Sequence, residues 1–176
     1  MNTLVSLIGK PGAGKTTIGD ALSSKLPKSK HFSFGDLLKT MEPSYVTEGF
    51  TPEGRKKVYD FLIFEIQDVD HFIVDWNPYY PQGFYFLDTM RPFFTKAITV
   101  HLVCNDTEAE KRLAARKRRI LLPHEGNVYK DRVDSFNTIV LPEIEKATEN
   151  YSIIEVHTED KDIDVLVNEI TEIISR

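Results

Sequence analysis

The chain has one cysteine, Cys104, among 176 residues, so an intrachain disulfide and a multi-cysteine zinc site are both excluded. It has no basic surplus. Its 22 lysines and arginines stand against 27 aspartates and glutamates, for a formal net charge of −5, which argues against a general nucleic-acid binder. No apolar run approaches the roughly 20 residues of a membrane-spanning helix, so no membrane partner is expected. The opening stretch, MNTLVSLIGKPGAGK, lacks a charged leader and a small-residue cleavage site. No signal peptide is therefore expected, and the expected location is the cytoplasm. Internal repeats, low-complexity segments and clear linkers are missing too. The five histidines, His31, His71, His101, His124 and His157, show no metal-ligand spacing and are assigned no chemistry. One domain covering 1–176 is the natural expectation, with a monomer as its expected state.

What is present is an alternation of short apolar runs and longer helical patterns. Leu4–Ile8, His31–Phe34, Phe72–Val74 ending at Asp75, Ala97–Val103 and Ser152–Val156 read as strands. Near-continuous apolar strands imply a sheet covered on both faces. Between them, Lys15 to about Leu26 is helical in pattern. Thr51 is an N-cap with Pro52 at the first helical position. A helix starting at Asn105 or Asp106 is expected to run to about Leu121. Ile163, Leu166, Val167, Ile170, Ile173 and Ile174 form one face of a last helix. The pattern from Tyr129 to Ala147 contains Pro142, which should kink or split it. Residues 122–130 read as a surface loop. The fold class is α/β, with a parallel five-stranded sheet and helices on both faces.

Gly9-Lys10-Pro11-Gly12-Ala13-Gly14-Lys15-Thr16 matches G-x-x-x-x-G-K-[ST] in full, after an apolar strand and before a helix. The glycines let the backbone curl so that its N–H groups face a phosphate chain. The following helix N-terminus adds partial positive charge. Lys15 then places a full charge between the β- and γ-phosphates of ATP, and the Thr16 hydroxyl is a magnesium ligand. A second acidic group is needed near the loop, and Asp75, closing the strand Phe72–Val74, stands where such a carboxylate serves magnesium, partly through water.

The ordered motifs resemble the adenylate kinase family of nucleoside monophosphate kinases. Gly9 to Thr17 is similar to that family's phosphate loop. Phe32-Ser33-Phe34-Gly35-Asp36-Leu37-Leu38-Lys39 looks like the segment that opens its monophosphate-binding region, and Gly49-Phe50-Thr51-Pro52-Glu53 like the one that closes it. Asp75-Trp76-Asn77-Pro78 stands where the family has Asp-Gly-Phe-Pro-Arg. Arg112-Leu113-Ala114-Ala115-Arg116 matches its Arg-Leu-x-x-Arg, and Arg132, Phe136, Pro142 and Ile144 keep a later spacing. The resemblance implies ATP contacts from Gly9, Pro11, Gly12, Ala13, Gly14, Lys15, Thr16 and Thr17, with Arg112 stacked on the base. It also implies a transferring phosphoryl clamped by Lys15, Arg116 and Arg132, and an acceptor bound by Phe34, Asp36, Lys39 and Gln82. Asp36 would help orient magnesium-bound water. The acceptor region would span about 34–58 and a short lid about 117–132.

Departures from the family pattern concern the acceptor. Tyr79 replaces the arginine that grips the acceptor phosphate, Trp76 replaces a glycine, Phe34 a threonine and Lys39 an arginine. Residues 76–94 hold Trp76, Tyr79, Tyr80, Phe84, Tyr85, Phe86, Phe93 and Phe94, which stack a base or fill a core. The expected activity is transfer of the ATP γ-phosphoryl group, with Mg2+, to a nucleoside monophosphate or related small acceptor. Two alternatives stay open: a kinase of another small molecule with a hydroxyl acceptor, and a nucleotide-binding module without transfer.

Overall fold

The computed structural model describes residues 2–41, 51–76, 84–115 and 128–176. Five strands, β1 (Thr3–Gly9), β2 (Ser29–Ser33), β3 (His71–Asp75), β4 (Lys96–Val103) and β5 (Ile153–His157), form one sheet in the order β2-β3-β1-β4-β5. Every pairing is parallel. The helices are α1 (Lys15–Lys25), α2 (Phe34–Met41), α3 (Pro52–Glu65), α4 (Tyr85–Met90), α5 (Asp106–Ala115), α6 (Val128–Ser135), α7 (Leu141–Ala147) and α8 (Ile163–Ser175). The α/β class with a five-stranded parallel sheet is as the sequence predicts.

Alternation along β1 explains the two cores. Val5 and Leu7 point to one face, where they pack with Ile18 and Leu22 of α1, Ala109 and Leu113 of α5, and Leu166, Val167 and Ile170 of α8. Leu4 and Ile8 point to the other, with Val58 and Leu62 of α3, Phe86 and Met90 of α4, and Phe136 and Ile144. All seven residues of β1 are buried, as a central strand covered on both sides requires. β1 also lies where the strand order turns: the chain passes from β1 to the edge strand β2, returns to β3 beside β1, then crosses to the far side with β4. Ligands in such sheets sit beyond the strand C-termini at this point, which is where Gly9 ends β1.

The predicted elements survive with shifted ends. Thr51 caps α3, its hydroxyl accepting from the Gly54 N–H at 3.0 Å, with Pro52 in the first turn. Asn105 caps α5 by accepting from the Glu108 N–H at 2.8 Å. That helix is described to Ala115, and its predicted extension to Leu121 lies outside the described residues. Two expectations need correction, and one helix is new. Phe34 is not in β2 but opens α2, because its ring turns inward against Tyr59 and Phe86. Val128–Lys130 belong to α6 rather than to a loop, since α6 is held down by buried Val133 and half-buried Tyr129. The aromatic stretch after Tyr79 contains a helix, α4, which buries Phe86, Leu87 and Met90. Pro142 acts as predicted. Its ring and missing N–H disturb the preceding turn, and residues Phe136–Val140 widen into a π-helix in which the Leu141 N–H reaches the Phe136 carbonyl. Among the described residues no helix is long and apolar enough to cross a membrane.

Candidate active site

The phosphate-loop segment is seated on two neighbours that leave no space for a side chain. A Cβ on Gly9 would lie 2.4 Å from the Leu102 carbonyl oxygen of β4, and one on Gly12 would lie 2.5 Å from that of Ala109 in α5. Both glycines also have positive φ, 149° and 91°. Pro11, Gly12 and Ala13 are buried, Lys15 and Thr16 are half-buried, and Thr17 is exposed. Lys15 opens α1, and its ammonium folds back across the loop, donating to the carbonyls of Gly9 (2.6 Å) and Lys10 (3.1 Å). The first turn of α1 carries no acidic residue. The helix dipole and the lysine therefore add at one point, a geometry suited to a polyanion.

Asp75 ends β3 beside Leu7, two residues before the loop begins. It is buried, and both carboxylate oxygens are engaged. Ser33 Oγ donates to Oδ1 at 3.3 Å and His31 Nε2 lies 3.1 Å from Oδ2. The next residue, Trp76, is not a stacking platform. It is buried, its backbone N–H continues the ladder to the Leu7 carbonyl at 3.0 Å, and its indole N–H donates to Ser6 Oγ. His31 reaches further, with Nδ1 2.8 Å from Asp20 Oδ1 on α1. Burial lowers the affinity of this imidazole for a proton, but hydrogen bonds to Asp75 and Asp20 outweigh burial and raise its pKa above the ordinary histidine value. Carboxylates only accept, so both ring nitrogens donate when both bonds are made.

The cations are distributed unevenly. Lys10 pairs with Asp106 at the start of α5, and Asp106 also accepts from Asn137 Nδ2 at 2.9 Å. The Lys10 bond holds the Asp106 carboxyl below its ordinary range. Arg112 is pinned beside the loop: Nε donates to Glu108 at 2.8 Å, and its two terminal nitrogens donate to Thr158 Oγ1 (3.2 Å) and the Thr158 carbonyl (3.0 Å). Arg132 is exposed on α6, next to buried Val133. Lys39 and Asp36, expected at the acceptor, pair with each other at 2.8 Å on α2. Phe34, the third acceptor candidate, is half-buried among aromatic rings. Arg116, Gln82 and Tyr79 lie outside the described residues, as do most of the lid and residues 42–50 of the acceptor segment.

The geometry adds residues that the motifs do not contain. His31 and Ser33 alternate on β2, so both face α1 and Asp75, while Phe32 between them faces the other core. That i, i+2 polar pattern in an otherwise strand-like run is the signal that could have found them. Lys10 occupies a variable motif position, and nothing in the motif points to Asp106. His101, buried in β4 opposite Ile8, is also close to the loop. Burial lowers its pKa, Glu155 opposes this, and the charges of Lys10 and Lys15 lower it further.

Solved structures of the same fold include a shikimate kinase from Acinetobacter baumannii in complex with shikimate, 17% identical, with 99% of this chain and 94% of that chain covered and a TM-score of 0.68. A gluconokinase from Sinorhizobium meliloti 1021 is 14% identical over 99% and 92% of the two chains, with a TM-score of 0.65. A deoxyadenosine kinase from M. mycoides, with products dcmp and a flexible dcdp bound, is 16% identical over 98% and 98%, with a TM-score of 0.62. No curated protein matches the chain. At these identities the likeness establishes a shared α/β fold. A family model described as an AAA domain, AAA_18, matches residues 5–133, from within β1 to Val133 of α6 and thus most of the chain. The chain belongs to this AAA domain family.

Proposed function

We propose that this protein is an ATP-dependent phosphotransferase acting on a small acceptor. The observation that carries the reading is Lys15, whose ammonium is held across the Gly9–Gly14 loop at a helix N-terminus, one strand away from the buried carboxylate of Asp75. In transfer the bond from the γ-phosphorus to the β,γ-bridging oxygen breaks, a bond to the acceptor oxygen forms, and ADP leaves. Such a reaction asks the protein chiefly to position two reactants and neutralise charge. The loop amides and Lys15 hold the phosphates. Arg112 offers a flat guanidinium beside the loop for the base. Arg132, with Arg116, supplies charge to the moving group.

The donors fit magnesium. Thr16 offers a hydroxyl oxygen, and the Asp75 oxygens are held by Ser33 and His31, which suits a carboxylate that acts through bound water. Mg2+ would lower the charge repulsion between phosphates and acceptor.

For the acceptor, the adenylate kinase-like motifs support a nucleoside monophosphate, with Phe34, Asp36, Lys39 and Gln82 on its side of the site. A second reading, a hydroxyl-bearing small molecule, is favoured by Tyr79 in place of the phosphate-gripping arginine and by the mutual pairing of Lys39 and Asp36. The three similar structures, a shikimate kinase, a gluconokinase and a deoxyadenosine kinase, lend it further support. ADP formation is measured with ATP, Mg2+ and a panel of nucleoside monophosphates, nucleosides and small hydroxy acids. Turnover with a monophosphate supports the first reading, and turnover with unphosphorylated acceptors alone supports the second. ATP binding without turnover of any acceptor would leave a binding module and end the phosphotransferase reading.

A further inference from the structure

We propose that His31 is a positioning residue for phosphoryl transfer: seated on Gly19 and held by Asp20, it fixes the carboxylate of Asp75 relative to the first turn of α1. The inference rests on the phosphotransferase reading above and names a residue that the phosphate-loop motif does not contain.

Three observations carry it. The His31 side chain is only 5% exposed, yet it bridges two carboxylates on different elements: Asp20, 71% exposed on α1, and Asp75, 7% exposed at the end of β3. An imidazole that merely fills a core needs one satisfied nitrogen and apolar neighbours. This one spends both nitrogens on acids.

The second observation is Gly19. A glycine inside a helix costs roughly 0.5–1 kcal/mol relative to alanine. Here a Cβ would lie 2.3 Å from His31 Nε2 and 2.6 Å from both ring carbons beside it. The ring occupies the space that a side chain would take, so His31 lies directly on the helix backbone.

The third is the arrangement along α1. Thr16 and Asp20 are four residues apart and share one face, and Gly19 lies three residues after Thr16. The turn that presents the Thr16 hydroxyl is thus followed by the turn that grips His31. β2, which carries His31, is an edge strand paired with β3 alone. The imidazole ties that edge to α1 across the top of β3, so the separation of the two oxygen donors, Thr16 and Asp75, is set through His31. Ser33 alone would anchor Asp75 Oδ1 and leave Oδ2 free to rotate away.

The test compares His31→Leu, His31→Gln, Gly19→Ala and Asp20→Asn with the unmodified protein. Glutamine reproduces the Nε2 donor to Asp75, whereas leucine does not. Two readouts are used: Mn2+ affinity in the presence of ADP, by electron paramagnetic resonance, and kcat and KM with ATP-Mg and an acceptor found in the panel. Loss of an outer-shell partner of a metal-serving carboxylate typically costs roughly 10- to 100-fold in metal affinity or activity. His31→Leu and Gly19→Ala are expected to lose about that much in kcat and in Mn2+ affinity, with metal-free ADP affinity within about twofold, and His31→Gln to recover most of it. Asp20→Asn, at an exposed residue that leaves the core untouched, should lose activity in the same direction and keeps the test open if His31→Leu does not fold. The proposal is overturned if the folded variants keep kcat and Mn2+ affinity within twofold of the unmodified protein, or if glutamine is no better than leucine. An unmodified protein that binds neither ADP nor ATP-Mg overturns the phosphotransferase reading itself. Normal binding and turnover with unaffected variants overturns only the role of His31.

Discussion

Lys10 and Asp106 form an ion pair between the phosphate loop and the first residue of α5, and Asn137 of the π-helix donates to the same carboxylate. Three segments distant in sequence therefore meet at one acid. Lys10 is well covered, its side chain 12% exposed, whereas that of Asp106 is 49% exposed, so solvent screens the pair.

Asp106→Asn should consequently cost at most about 1 kcal/mol, a fall of roughly 2–4 °C in Tm for a chain of this size. Lys10 holds the carboxyl below its ordinary range, so the folded form binds this proton more weakly than the unfolded chain. The contribution is therefore present above the unfolded carboxylate pKa and disappears as pH falls through the folded one. Calorimetry at pH 7 and in the acid range should show the gap between variant and parent closing on acidification. A constant gap would mean that the ion pair is not what Asp106 contributes.

The loop glycines should separate by mechanism. Gly9→Ala and Gly12→Ala push a methyl group to 2.4 and 2.5 Å from backbone oxygens that cannot swing aside. Gly14→Ala has only Ile18 Cδ1 nearby, at 3.7 Å, but keeps a positive φ of 94°. It should cost about 1–2 kcal/mol, the penalty of a left-handed alanine, while the other two cost more. Urea midpoints rank the three, and Gly14→Ala as the most damaging substitution would contradict this placement.

The difference between these glycines was only partly legible in the sequence. The strand, loop and helix of the motif follow from local pattern, because Leu4–Ile8 is apolar and Gly14-Lys15-Thr16 starts a helix. Which neighbours press on Gly9 and Gly12 depends on β4 and α5, about 90 residues later, and no local rule gives that. The same holds for Asp75: its place at a strand end is readable, but its partners, Ser33 and His31, come from a strand that joins the sheet beyond it. Phe34 shows the reverse error. A β-prone residue after a strand reads as its continuation, but tertiary packing against Tyr59 and Phe86 makes it the first residue of a helix. Trp76, in the aromatic stretch, proves to be a core residue with its indole bonded to Ser6.

Lys15→Met tests the transfer chemistry apart from the fold. Lys15 donates to two carbonyls of its own loop, so its loss should shift the urea midpoint little. Removing one preorganised donor to a charged transition state typically costs about 10²- to 10³-fold in kcat, and a loss of at least that size is expected. Arg132→Ala, on the exposed side of α6, should lower kcat much more than ATP affinity. Equal losses in both would remove Arg132 from the transition state and make it a simple binding charge.

Two histidines should pull the pH dependence of stability in opposite directions. His31 has a raised pKa because Asp75 and Asp20 outweigh burial, so its contribution is full below the unfolded value of about 6.5 and is lost as pH rises through the folded one. His101 has a lowered pKa, chiefly from burial, so its contribution is full above about 6.5 and is lost as pH falls. His101 Nδ1 is buried without a hydrogen bond among the described residues and sits 3.4 Å from Glu155. A buried ring nitrogen without a hydrogen bond carries a desolvation cost that an apolar side chain of similar size does not, and the Glu155 side chain is 62% exposed, so water can serve it. His101→Leu should therefore match or exceed the parent at pH 8 and retain more of its stability at pH 5.5, because no buried imidazole has to be charged. Urea unfolding of both proteins at the two pH values measures this. Parallel losses on acidification would show that His101 does not carry the acid sensitivity.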